Sequence, residues 1–106
     1  MAKWITITPN FTVIKNTPTQ LVAKNKKVMA VLLYGKSSNA NDDIFAGSSV
    51  VNSAQEVGAP VPKGKTLSIT PPVGHKGELE EINLRDIYID GGNSGDKVSI
   101  SYLEKD

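Results

Sequence analysis

The sequence predicts an all-β fold, a β-sandwich of about eight short antiparallel strands, jelly-roll-like or immunoglobulin-like in plan. Three observations lead there. Apolar and polar residues alternate over short runs, most cleanly in Thr66-Leu67-Ser68-Ile69-Thr70. Turn-forming Pro, Gly, Asn, Asp and Ser recur about every ten residues, the spacing of sandwiches and barrels rather than of βαβ units. β-Branched and aromatic residues fill the runs between them.

Taken in order, residues 3–8 alternate around Ile5 and Ile7 and read as a half-buried strand, with Pro9-Asn10 expected to turn the chain. Residues 11–14 form a second short run, and residues 19–23 resume extended structure after Asn16-Thr17-Pro18. Lys24-Asn25-Lys26-Lys27 reads as a polar turn. Residues 28–34 are apolar on both faces, so that strand needs cover on both sides, from the core or from another subunit. A loop at 36–42 precedes a strand at 43–47. Residues 48–55 are ambiguous, and 58–65, with two Pro and two Gly, form an ordered surface connection. The strand at 66–70 points Leu67 and Ile69 inward. After a Pro/Gly loop, residues 78–84 offer the one plausible helical turn. The last two strands, 86–90 and 97–103, are expected to pair as a hairpin across Gly91-Gly92-Asn93-Ser94-Gly95-Asp96. The segments starting at Asp43 and Asp86 echo each other in an acid, an Ile and an aromatic, too little for a repeat.

A chain of 106 residues suits a single domain, 1–106. Twelve Lys and Arg against eleven Asp and Glu leave a net charge of +1, which provides no bulk attraction to nucleic acid or to an anionic membrane. Without Cys there is no disulfide, no thiolate nucleophile and no Cys-based zinc site. The N-terminus lacks the apolar run of a signal peptide, and the longest apolar stretch, seven residues, falls far short of the ~20 that span a bilayer as a helix.

The residues offer little for catalysis, and the reading is of a non-enzyme without cofactor or metal. His75 is the only His and sits in a Pro/Gly loop with no second His or Cys to share a metal or a proton. There is no Gly-x-Ser-x-Gly elbow. Glu78, Glu80, Glu81 and Asp86 read as a solvated charged turn, since six aromatics in all supply a sugar cleft poorly. The Asp90–Asp96 loop has oxygen ligands on a Gly-rich chain but lacks the acid spacing of an EF-hand, and its composition is that of a wide turn. Lys24, Lys26 and Lys27 lack the interleaved aromatics of a single-strand nucleic-acid platform. Trp4 falls on the Thr6/Thr8 side of its strand, either as a contact anchor or as a cap on the core.

Asn16-Thr17-Pro18-Thr19-Gln20-Leu21-Val22-Ala23, Val28-Met29-Ala30-Val31-Leu32-Leu33, Asp43-Ile44-Phe45-Ala46-Gly47-Ser48-Ser49, Val61-Pro62-Lys63-Gly64-Lys65-Thr66-Leu67-Ser68-Ile69 and Asp86-Ile87-Tyr88-Ile89 follow one another over residues 16–103. This order resembles the small β-sandwich structural proteins of tailed bacteriophages, the kind that decorate capsids or serve as head-fibre modules. The resemblance implies a trimeric or otherwise repeated homo-oligomer, made in the host cytoplasm and mounted on the capsid surface. Its partner there is the major capsid protein or another virion lattice protein, with neither nucleic acid nor membrane involved. No functional residue transfers with it. Contact surfaces are expected instead around Trp4 and on the loops at 36–42, 56–65 and 71–78, with Lys36, Asn39, Asn41, Val61, Lys63, Val73 and His75 as the candidate residues. The competing class is a carbohydrate- or receptor-binding module using one loop end of the same sandwich.

Overall fold

A computed structural model describes residues 3–40, 43–70 and 82–104 of the chain. Among the described residues ten strands run in order: β1 (Lys3–Thr12), β2 (Thr19–Gln20), β3 (Lys27–Val28), β4 (Ala30–Gly35), β5 (Phe45–Gly47), β6 (Ala59–Pro60), β7 (Thr66–Ile69), β8 (Ile82–Asn83), β9 (Tyr88–Asp90) and β10 (Lys97–Glu104). A 3₁₀ turn, Leu84–Asp86, separates β8 from β9 and is capped by the Asn83 side chain. The protein is all-β.

The strands form two four-stranded antiparallel sheets, β1-β10-β4-β7 and β2-β9-β5-β6, with β3-β8 as a small pair between them in sequence. The pairing has a simple rule. β1 pairs with β10, β2 with β9, β3 with β8, β4 with β7 and β5 with β6, all antiparallel. The chain is thus one long nested ribbon, and rolling that ribbon brings β10 beside β4 and β9 beside β5. This is the strand order of a jelly roll, which distinguishes it from the immunoglobulin-like alternative.

The core lies between the inner faces of the two sheets. Val31, Leu33, Val98 and Ile100 from the first sheet are fully buried, facing Ile44, Ala46 and Ile89 from the second. Leu67 and Ile69 point inward as their alternation predicts. Val28 of β3, together with Val61 and Leu84 from the connections, closes the core.

Four local expectations give way. Pro9-Asn10 does not turn the chain: β1 runs unbroken from Lys3 to Thr12, with register shifts between Thr6 and Thr8 and between Thr8 and Phe11. β1 is an edge strand, where a residue without an N–H is tolerated and bulges discourage pairing with foreign strands. Residues 82–83, expected in a helical turn, form β8 instead, and residues 78–81 lie outside the described residues. Ala59-Pro60, expected to be connection, form β6 against β5. Most informative is the expected 86–103 hairpin, because β9 and β10 do not pair. The loop 91–96 carries the chain from one sheet to the other, so the same Gly- and Asn-rich composition serves a crossing rather than a hairpin. The two echoing segments, by contrast, do meet, with Phe45 opposite Asp90 and Ala46 opposite Ile89.

Candidate functional site

Period-two alternation places Trp4, Thr6, Ser99, Ser101, Leu103, Ala30, Leu32, Tyr34, Thr66 and Ser68 together on the outer face of the first sheet. None is charged. Trp4 stands opposite Leu103 and is 52% exposed, so it does not cap the core. Thr6 and Ser101 share a hydroxyl hydrogen bond of 3.2 Å across the pair. Lys97, whose ammonium reaches Thr12 Oγ1 at 3.5 Å, marks the far margin. The double apolar character of residues 28–34 is resolved here: Val31 and Leu33 enter the core, while Leu32 and Tyr34 remain half-buried on the outer face.

The other described candidates gather at the opposite end of β4. Trp4 lies beside the Ala30 end and Lys36 follows Gly35, about 20 Å away at the strand rise of ~3.3 Å per residue. The loops bearing Lys36 and Lys63 touch, since Gly64 N donates to Gly35 O at 2.6 Å and Gly35 N to Lys65 O at 3.1 Å. Gly35 is required at this contact, because a Cβ would fall 2.5 Å from the Pro62 carbonyl oxygen. Lys36 is half-buried and Lys63 exposed.

Two candidates at this end are structural rather than contact residues. Asn39 is 6% exposed, its Nδ2 donating to Lys97 O at 2.9 Å and its Oδ1 accepting from Lys97 N at 2.7 Å. The amide side chain thereby acts as a rung of sheet pairing and pins the start of β10. Val61 is fully buried in the core, its N–H bonded to Ile44 O at 2.8 Å. Asn41, Val73 and His75 lie outside the described residues.

The acids flanking the 91–96 crossing serve different neighbours. Asp96 Oδ1 accepts from Ala40 N at 2.9 Å and from Asn93 Nδ2 at 3.2 Å. Asp90, on the outer side of the second sheet opposite Phe45, accepts from Ser53 N at 2.8 Å. That bond ties down the segment 48–57, which folds over the sheet and buries Val51 against Gly47 and Gly58. Among the described residues no three His, Asp or Glu side chains come together as a metal cage.

One feature escaped the sequence reading altogether. A cavity of about 420 Å³ opens where the sandwich parts, lined by Ile5, Ile7, Val22, Leu84 and Tyr102 with Lys24, Asn25 and Lys26 at its rim. Its lining comes from four separate segments of the chain, so no local pattern reveals it.

No protein-family model, curated protein sequence or solved structure matches the chain.

Proposed function

We propose that this protein is a non-enzymatic structural component of a virus particle, a decoration protein that binds the head lattice and stiffens it. The observation that carries this reading is the uncharged outer face of the first sheet, with exposed Trp4 at one end. In a chain that is 22% charged, ten neighbouring outward positions without a charge, five of them Ser or Thr and Lys97 at their margin, form a surface that a partner can cover without burying an ionised group. Trp at such a place is a residue type that anchors interfaces. The jelly-roll plan occurs in viral capsid domains, and also in lectins and cupins, so the fold is compatible with this role without selecting it.

Size bears on how such a surface works. Four strands about 4.8 Å apart and five residues long present roughly 300 Å², well below the ~800 Å² per partner of a standard stable interface. One copy therefore binds weakly through this face alone, and binding becomes firm through the loops beside it or through many copies on a lattice. The favoured partner is the major capsid protein, with the protein itself assembled as a trimer. The test is mass spectrometry of purified particles produced from the genome that encodes the chain. Its presence at a fixed ratio to the major capsid protein is expected, and its absence from particles refutes the proposal.

A carbohydrate- or receptor-directed module is the second reading, favoured by one observation: the Trp4 ring stands exposed on the face that carries the Thr6 and Ser101 hydroxyls. Saturable glycan binding abolished by Trp4→Ala, with no incorporation into heads, selects it over decoration.

A further inference from the structure

We propose that the cavity between the first sheet and the 22–26 segment is a binding site for a monomeric amphiphilic anion, an aliphatic chain ending in a carboxylate. The core is not closed equally at its two ends. Val98, Ile100 and Leu33 are sealed from solvent, whereas Ile5, Ile7 and Tyr102, on the same inner face, are only half-buried. Val22 and Leu84 complete an apolar lining around about 420 Å³. That volume falls within the roughly 300–1,000 Å³ of small-molecule sites.

The rim supplies the sign of the charge. Lys24 and Lys26 stand two residues apart at the mouth, with the Asn25 amide between them. Lys26 holds its ammonium 5.7 Å from the Tyr102 ring centre, over the apolar wall. Glu104 reaches Lys26 at 4.0 Å, a half-buried contact at the limit of an ion pair that a bound carboxylate can displace. The rim is also set in advance of any ligand. Lys26 N donates to Asn83 Oδ1 at 3.2 Å, Leu84 N donates to Lys26 O at 2.8 Å, and Asn83 Nδ2 donates to Asn25 Oδ1. A site held in its binding shape loses less on ordering when the ligand arrives. An apolar body with one anionic end satisfies floor and rim together. A neutral hydrocarbon leaves the lysines unused, and a cation meets like charge.

The experiment is methyl and aromatic NMR titration of the wild-type protein with decanoate, kept monomeric, and with decyltrimethylammonium as the cation of equal chain length. Decanoate is expected to shift the Ile5, Ile7, Val22, Leu84 and Tyr102 signals saturably, with a dissociation constant of about 1 mM or below. The cation binds at least fivefold more weakly. The double substitution Lys24→Ala and Lys26→Ala weakens decanoate about fivefold and strengthens the cation, so that the preference for the anion is lost. Absence of saturable shifts at those five residues in the wild-type protein overturns the proposal. So does equal affinity for the two amphiphiles, or uptake onto anionic lipid vesicles with no response to monomeric decanoate. These outcomes are independent of whether the protein occurs in particles.

Discussion

Replacing Asn39 by Ala separates a structural side chain from a contact side chain more sharply than any other single change. The side chain makes two bonds to the backbone of Lys97, at 2.9 and 2.7 Å, from a nearly buried position. The Lys97 carbonyl retains a second donor, Lys36 N at 3.2 Å, so Asn39→Ala strands the Lys97 N–H but not its C=O. Two lost bonds at about 1 kcal/mol each, plus about 1 kcal/mol for the stranded donor, give a loss of about 3 kcal/mol. A domain of this size changes its melting temperature by roughly 4–8 °C per kcal/mol, so the midpoint falls by about 12–24 °C. Thermal unfolding followed by circular dichroism measures this, and amide exchange at Lys97 localises it. Lys36→Ala on the same loop is the control, with the midpoint expected within about 2 °C of wild type because surface substitutions away from special features stay within about 0.5 kcal/mol. An Asn39→Ala midpoint within about 2 °C of wild type would refute the clamp and return Asn39 to the contact surface.

Trp4→Ala is expected to leave stability within about 0.5 kcal/mol while weakening self-association or particle binding at least tenfold, read by light scattering and co-sedimentation. Gly35→Ala drives a methyl into the Pro62 carbonyl and should cost about 2 kcal/mol or more, measured by urea unfolding, whereas a cost under about 0.5 kcal/mol would mean the two loops part freely. Asp90→Ala removes the acceptor of Ser53 N, so cleavage of the 48–57 segment by a limiting protease should accelerate several-fold with the rest of the sandwich intact. Gly95→Ala, at a φ of 97° with open space around the new methyl, should lose about 1 kcal/mol from backbone strain alone, and a neutral result would show that the crossing relaxes.

What could be read in the sequence was whatever depends on neighbours along the chain. Alternation placed Leu67 and Ile69 inward and put Trp4 on the face opposite Ile5, because side-chain direction in a strand has a period of two. Partner choice is a different kind of information. A Gly/Asn loop suits a hairpin and a crossing equally, and what separates them is that Ile89 lies against Ala46 and Thr19 while Ile100 lies against Leu33. Loop composition likewise misplaced Asn39 and Val61. A polar residue after two loop serines is expected in water, yet this amide substitutes for missing strand pairing, and Val61 between two prolines plugs the core. The cavity was hidden for the same reason, since Ile5 and Tyr102 are remote in sequence and adjacent only after β1 finds β10.

The nested pairing sets an order of events on the ribosome. The innermost pair, β5 with β6, is available as soon as the middle of the chain has emerged, but β1 has no partner until β10 is made. Its Ile5, Ile7 and Phe11 have no sheet partner until residues 97–104 have been made. Closure then depends on the most distant contacts in the molecule, the type that slows β-rich folding toward milliseconds to seconds. Pro9, which has no N–H to offer whether or not the strand is paired, denies a foreign partner one ladder bond during that interval, and the two register shifts take over once β10 is in place.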